Sequence, residues 1–250
     1  MPRKEKIREM FDGIATDYDR LNHIMSLDID KTWRRRALKR IFNAEAGRPM
    51  EILDIACGTG DFSIAIAREM LRRNVAGGSR ELTGHVTGVD LSEGMLEVMR
   101  KKLDAEGLND IISCETGDCE NLRFSGDCFD RVTVAFGVRN FENRGKGLKE
   151  ILRVLKPGGR LIILELSVPS NAFFRWLFNL YFLNILPVIG GKVSGDKAAY
   201  KYLPASVLNF PGKKEFTGTL KECGFINVTH KAFTLGVCRM YTGEKPSTQP

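Results

Sequence analysis

Residues that build metal and redox centres are scarce in this sequence. Its six cysteines stand at 57, 114, 119, 128, 223 and 238, and no two have the Cys-x-x-Cys spacing of a zinc or redox motif. A trio of thiols for a soft metalloid is the one metal-type alternative, and the irregular spacing speaks against it. The expectation is therefore no metal and six reduced, scattered thiols. Only three histidines exist, His23, His85 and His230, so histidine acid–base chemistry has few candidates. Internal repeats and low-complexity tracts are lacking, which removes solenoids and disordered tails from consideration. Residues 1–10 contain no apolar stretch. No cleavable export signal is expected there, and the protein reads as cytoplasmic. A membrane span needs ~20 apolar residues in a row. The most apolar stretch, 171–190, is interrupted by Arg175, Asn179, Asn184 and Pro187, so a span is not expected.

The 250 residues that remain to be explained are ordinary globular material, 43% hydrophobic and 28% charged. A chain of this length buries a sizeable core without disulfide staples. It carries 38 Lys+Arg against 31 Asp+Glu, a net charge of +7. An excess of this kind fits nucleic acid, a membrane surface, anionic substrates or nothing specific. The densest basic run is Trp33-Arg34-Arg35-Arg36 with Lys39 and Arg40.

Strand and helix patterns alternate along the chain. Residues 1–48 read as a helical cap of mixed charge. Met50–Ala56 is a short apolar run that breaks into Cys57-Gly58-Thr59-Gly60, a strand ending in a glycine turn. Asp61 is the expected N-cap of the next helix. Residues 73–84 read as a polar surface loop. Val86–Asp90 is a strand, Ser92 an N-cap, Ile111–Cys114 a strand and Phe129–Ala135 another. Residues 145–155 place Leu148, Ile151, Leu152 and Leu155 at helical spacing. Pro157-Gly158-Gly159 is the expected helix stop before the apolar strand Arg160–Glu165. This alternation predicts a doubly wound, parallel α/β sheet with both faces covered. Thereafter 171–191 is aromatic and aliphatic, 192–214 looser and basic, 215–223 helical, and 225–242 two strands about Thr234-Leu235-Gly236. The domain reading is a cap over 1–48 and a catalytic domain over 49–250, with the apolar segment 168–214 inserted.

A Gly-x-Gly turn between strand and helix lets a ligand approach the backbone, because glycine has no Cβ. A dinucleotide fingerprint needs a third glycine three positions on, and that position is Ser63. The acidic surroundings point elsewhere. Asp54 lies in the strand, Asp90 ends the next one, and Asp118 follows the third in Gly117-Asp118-Cys119. A carboxylate at the second strand end accepts the two hydroxyls of a ribose. Asp118 is placed to accept from an adenine amino group. Three carboxylates suit a ligand with hydroxyls, an amine and a positive charge, and suit a pyrophosphate poorly. S-adenosylmethionine has that chemistry.

Three segments then resemble the menaquinone/ubiquinone biosynthesis C-methyltransferase family, within the class I SAM-dependent methyltransferases. They are Tyr18–Ser26 running on to Trp33, Phe136-Gly137-Val138-Arg139-Asn140, and Arg153–Ser167 with its Lys156-Pro157-Gly158-Gly159. Tyr200–Leu203 and Leu235-Gly236-Val237 extend the likeness over nearly the whole chain. The chain departs from the family's pattern at Asp30, where histidine is usual, at Leu21, where methionine is usual, and at Ala135, where some members have serine. The resemblance implies a seven-stranded Rossmann-like sheet. It implies cofactor contacts from Asp54, Gly58, Thr59, Gly60, Asp90, Asp118 and Cys119, with Cys119 acting through its backbone. It places Arg139, Asn140 and Tyr18 at the transferred methyl. The implied substrate is a polyprenylated quinol. The Phe136–Asn143 run is most similar to menaquinone-pathway members, so demethylmenaquinol is expected, with the benzoquinol of ubiquinone synthesis as the alternative.

Physical chemistry constrains such a reaction. The sulfonium methyl is an electrophile, so the acceptor ring must be electron-rich, and a phenolate of the reduced quinol supplies this. No histidine base stands out. Arg139 is expected to stabilise the phenolate or to orient a water that takes the proton, and Asn140 to bond a quinol oxygen. Tyr18 either closes over the methionine end of the cofactor or simply packs. In 171–190, Asn171, Arg175 and Asn179 form a polar stripe opposite a broad apolar face. That face suits a lipid tail, a membrane interface or a second copy of the chain. Over 171–214 six Lys/Arg oppose Asp196, and such a balance favours anionic lipid. A nucleic-acid methyltransferase acting on an exocyclic amine would carry Asn/Asp-Pro-Pro-aromatic after the fourth strand, where this chain has Phe136-Gly137-Val138. No nucleic-acid partner is expected. A non-enzymatic, membrane-bound SAM-fold module is disfavoured by the intact glycine turn and Arg139-Asn140.

Overall fold

The computed structural model describes residues 4–26, 28–42, 49–76, 84–185 and 197–247. Seven strands form one sheet: β1 (Met50–Ile55), β2 (Gly84–Asp90), β3 (Ile112–Thr116), β4 (Phe129–Ala135), β5 (Leu155–Leu166), β6 (Ile226–Phe233) and β7 (Cys238–Glu244). Their spatial order is β3-β2-β1-β4-β5-β7-β6. The first five run parallel, while β7 pairs antiparallel with both β5 and β6. Strands β1 and β4 are adjacent although distant in sequence. The strand order reverses between them, so the crevice at their C-terminal ends is where an open α/β sheet binds ligands.

Burial explains the continuous apolar strands. Ile52 and Leu53 of β1 are fully buried on opposite faces of the sheet, and Val132 and Val134 of β4 are fully buried on the face of Leu53. Each such side chain contributes about 1.5–3 kcal/mol of burial. One core lies under α3 (Ile29–Ile41), α4 (Asp61–Ala76) and α5 (Glu93–Glu106). The other lies under α6 (Arg144–Val154) and the helix Lys213–Glu222, with Phe216 and Tyr241 at its centre. A smaller cluster of Phe178, Phe182 and Val207 joins α7 (Ala172–Leu180) and the π-helical turn Tyr181–Ile185 to α8 (Lys197–Leu208). The helix Lys213–Glu222 is α9. Helices α1 (Lys4–Ile14) and α2 (Tyr18–Ser26) lie across the C-terminal edge of the sheet.

Several local readings need correcting. Asp61 is the first residue of α4, not its cap, because its carboxylate is held by Lys102 at 2.8 Å and Arg34 at 3.2 Å. Helix α6 stops at Val154, and β5 already begins at Leu155 and runs through Pro157-Gly158-Gly159. A register shift opposite Phe129 and Arg131 accommodates the proline in the ladder. Helix α4 extends to Ala76, and the rest of the predicted 73–84 loop, 77–83, lies outside the described residues. The basic stretch 192–214 is not loose where it is described, since α8 occupies Lys197–Leu208. On α7 the polar stripe reaches solvent only at its start: Asn171 is the N-cap, accepting from Phe173 and Phe174, Arg175 is exposed, and Asn179 Oδ1 is buried without a partner. Phe173 and Trp176 are instead about three-fifths exposed, at 61% and 60%. Ser92 caps α5 as expected, accepting from Met95 N. No described helix is long and apolar enough to cross a membrane.

Candidate active site

The glycine turn joins β1 to α4. Gly58 and Gly60 take φ of +57° and +84°, a region costly for residues with a Cβ. Close approach of the two central strands requires another glycine. A Cβ at Gly137 would stand 2.5 Å from Cβ of Ala56. Ala56 and Phe136, just past β1 and β4, both hold positive φ despite their side chains. Such strain concentrates where structure is fixed for function.

Two cavities open from this crevice. The first is bounded by the glycine turn, the end of β2 and the loop after β3, and is roofed by Ile7, Arg8 and Phe11 of α1. Tyr18, Gly58, Asp90, Asp118, Cys119 and Asn140 all line it. Asp90 is fixed by two backbone donors, Gly58 N at 2.8 Å and Ser92 N at 2.9 Å. Burial pushes its carboxyl above the ordinary range. Asp118 accepts from Glu120 N at 2.9 Å and from Lys4 Nζ of α1 at 2.7 Å. Lys4 also meets Glu120, so α1 is latched directly over this end of the cavity. Burial holds the Cys119 thiol well above its usual value, so it remains a thiol.

Of the turn only Gly58 lines the cavity; Thr59 and Gly60 of the turn and Asp54 of β1 are not among its lining residues. Asp54 is buried and accepts from Ser63 Oγ and Thr133 Oγ1, each at 2.6 Å. Desolvation pushes its carboxyl up to about 6. The Thr59 hydroxyl donates to Asp19, whose other oxygen meets Lys102 at 2.5 Å. Asp19 thus ties α2 to the turn and sets the place of its neighbour Tyr18.

The second cavity, of about 360 Å³, has two distinct ends. One carries Tyr18, Asn22, Asp30, Arg34 and Arg139; the other carries Leu166, Phe174, Leu177, Phe178, Tyr181 and Val237. Tyr18 and Phe136 line both cavities and mark their junction. Arg139 is buried here. Its Nη1 donates to Glu165 Oε1 at 2.7 Å and to the Phe136 carbonyl. Glu165 Oε2 accepts the Arg139 N–H at 3.0 Å, and Oε1 also takes Leu166 N. Burial pulls the guanidinium's pKa down, yet facing Glu165 more than offsets this, and the net direction is up. Arg139 therefore stays cationic and does not act as a base. Asn140 Oδ1 accepts from Tyr202 OH at 2.8 Å.

Of the other residues weighed, His85 bonds Ser113 across β2 and β3, and His230 sits on β6, so neither lines a cavity. The side chain of His23 lies outside those described. Lys4, Asp19, Arg34, Glu165 and Tyr202 escaped the sequence reading as site residues. Glu165 alone carried a signal, a charge at the end of an otherwise apolar buried strand.

The first cavity suits S-adenosylmethionine. Four carboxylates, Asp90, Asp118, Glu120 and Glu142, face two cations, Lys4 and Arg8, and the bare turn leaves space for a methionyl chain. A pyrophosphate would meet that acidic set unfavourably.

Comparison with known proteins agrees with this geometry. The chain is 46% identical over 241 residues to the ubiquinone/menaquinone biosynthesis C-methyltransferase UbiE of Geotalea daltonii, covering 96% of this chain and 97% of that one. It is 40% identical over 243 residues to the demethylmenaquinone methyltransferase of Bacteroides fragilis, covering 97% and 94%. Among solved structures the [4+2]-cyclase SpnF superposes with a TM-score of 0.71 at 14% identity, over 99% and 98% of the chains. A SAM-dependent methyltransferase from Aquifex aeolicus gives 0.58 at 16% identity, over 85% and 89%. These two share the fold. The family model described as the ubiE/COQ5 methyltransferase family matches residues 2–245, and the chain belongs to that family.

Proposed function

We propose that the protein methylates a ring carbon of a prenylated hydroquinone, with S-adenosylmethionine as methyl donor and demethylmenaquinol as acceptor. The observation that carries this is the shape of the second cavity. It is polar where it meets the cofactor cavity at Tyr18 and Phe136, and apolar toward α7. A quinol head with a hydrocarbon tail has the same two ends. The names of the relatives from Geotalea and Bacteroides support the substrate class.

S-adenosylmethionine supplies a methyl group on a cationic sulfur, and Asp90, Gly58 and Asp118 would hold it. The residues of the chain do the rest. Arg139 holds a phenolate oxygen, which raises electron density on the adjacent ring carbon. That carbon forms the new C–C bond as the S–C bond breaks, and the ring carbon's own proton then leaves to water. Asn140, held by Tyr202, orients the ring. Tyr18 separates the reacting groups from solvent at the cavity junction. Methylation is expected with chemically reduced, short-chain demethylmenaquinol and at most about 1% of that rate with the quinone under air, because the quinone ring is electron-poor. Equal rates would reject the mechanism. A benzoquinol acceptor run in parallel separates the naphthoquinol reading from its alternative.

A lipid substrate supports a peripheral seat at a membrane surface, and the cytoplasmic side is the one proposed. Phe173, Trp176, Leu177 and Leu180 are exposed together on α7, beside the apolar end of the cavity. Arg175, Lys213, Lys214 and Arg239 surround the adjoining hollow. An apolar face rimmed by cations fits an anionic leaflet. Phe173→Ala with Trp176→Ala is expected to weaken binding to phosphatidylglycerol vesicles at least about tenfold, since each ring buries roughly 1.5–3 kcal/mol of apolar surface. Neutralising Lys192, Lys197 and Lys201 as well should remove the salt-dependent part. The structural surroundings of those three side chains lie outside the described residues. Unchanged vesicle binding would place α7 against a second copy of the chain instead.

A further inference from the structure

Two arginines enter the polar end of the second cavity, and the chemistry above uses only one of them. Arg34 of α3 lines the cavity with its guanidinium carbon 5.8 Å from the centre of the Phe136 ring. Arg139 bonds the carbonyl of the same Phe136. Arg34 is anchored through Nη1 alone, to Asp30 at 2.7 Å and Asp61 at 3.2 Å. Its Nε is buried without a hydrogen-bond partner, and so is Nε of Arg139. A buried donor left unpaired costs about 1–3 kcal/mol. Atoms so enclosed cannot meet a ligand, but Nη2 of each arginine makes no hydrogen bond to a described residue, so each guanidinium keeps a donor for the cavity that both line. Tyr18 lies in the field of both guanidiniums.

We infer that Arg34 is a second ring-binding residue. Its Nη2 donates to the hydroxyl oxygen across the ring from the one held by Arg139. With both oxygens gripped, the ring cannot rotate about a single contact, and only one ring carbon faces the methyl donor. Phe136 supplies the surface against which the ring lies. The anchoring carboxylates explain why the position tolerates a buried cation: Asp30 is itself buried and accepts from Ser26 Oγ at 2.7 Å.

This inference rests on the quinol reading, and the experiment separates the two. The substrates are a short-chain demethylmenaquinol and the analogue that keeps the hydroxyl next to the acceptor carbon but has hydrogen in place of the other. The readout is the ratio of their kcat/KM values. Arg34→Met is expected to lower kcat/KM about 10- to 100-fold for the quinol and less than about threefold for the analogue. Arg34→Lys, which keeps a cation against Asp30 and Asp61, is expected to recover part of the lost discrimination while S-adenosylmethionine affinity stays within about twofold of the wild type. Should Arg34→Met fail to fold, Arg34→Lys and wild type still differ in the ratio, because an ammonium held by Asp30 and Asp61 has no second, outward-reaching nitrogen. Equal losses on both substrates, or a ratio unchanged in the folded variants, overturn the role of Arg34 and leave the quinol reading standing. A wild-type enzyme inert toward every hydroquinone overturns both.

Discussion

Arg139→Met is expected to lower kcat about 10²- to 10³-fold while S-adenosylmethionine affinity stays within about twofold. A preorganised cation beside a developing anion commonly contributes that much. The cofactor-side prediction follows from placement, since Arg139 lines the second cavity and not the first. A structural cost accompanies the change. Glu165 is fully buried, and removing its cation leaves it with only the backbone donors of residues 139 and 166. Breaking one side of such a pair costs about 3–5 kcal/mol. The double variant Arg139→Met, Glu165→Gln removes the stranded charge. It is expected to regain most of the thermal stability and none of the turnover. Activity that returned with stability would make Arg139 a folding residue. A large loss of cofactor affinity in either variant would move it to the other cavity.

The central sheet was readable from residues because its strands are buried on both faces. Met50–Ile55 is a mostly apolar run that breaks into a glycine turn, Phe129–Ala135 carries Val132, Val134 and Ala135 toward its end, and both strands appear with those limits or within one residue of them. The two strands about Thr234-Leu235-Gly236 were equally plain, and the structure pairs them antiparallel. Segments that owe their structure to tertiary contacts were harder. Helix α8 carries Pro204 and a basic start, which read as loose chain, yet Val207 packs against Phe178 and Phe182. Pro157 read as a stop because a lone strand cannot show where a neighbour will slip its register.

The candidate site divides in the same way. Gly58, Asp90, Asp118 and Cys119 were nominated by position after strands, and the fold gathers them on one wall. What sequence spacing did not reveal are the long-range ties. Lys4 reaches Asp118 across 114 residues, Tyr202 reaches Asn140 across 62, and Asp19 reaches Thr59 across 40. Each tie joins the N-terminal cap or the 168–214 insert to the sheet edge. The site is therefore completed by segments whose own patterns announce only helix. Arg34 is the sharpest case: it belongs to the densest basic run, which gave it no signal as a site residue, yet it lines the second cavity.

Asp54 and Asp90 lead to an expected conflict between stability and cofactor binding. Both carboxyls are raised by burial, Asp54 to about 6. An unfolded aspartate titrates near 3.9, so between roughly pH 4 and pH 6 the folded protein holds a proton at Asp54 that the unfolded chain has lost. Folding is then opposed increasingly as pH rises through that window, by an amount on the order of 2–3 kcal/mol once both states are ionised. Asp54→Asn removes the charge and keeps the shape. The variant should match wild type near pH 4 and exceed it by up to about 3 kcal/mol at pH 7.5, read from urea unfolding at each pH. Taking the difference cancels other acids such as Glu69 and Glu150, whose partners Arg72 and Arg153 push them the opposite way. Cofactor binding should run against this gradient. A cationic ligand with ribose hydroxyls needs Asp90 ionised, and burial raises that carboxyl, so wild-type affinity should fall as the solution is acidified. Asp90→Asn should bind S-adenosylmethionine about 10- to 100-fold more weakly even at pH 7.5. Its amide cannot accept from both Gly58 N and Ser92 N and also from a ribose hydroxyl. A stability difference for Asp54→Asn that does not change with pH would show that the buried acid is not titrating. Full affinity in Asp90→Asn would remove Asp90 from the cofactor wall.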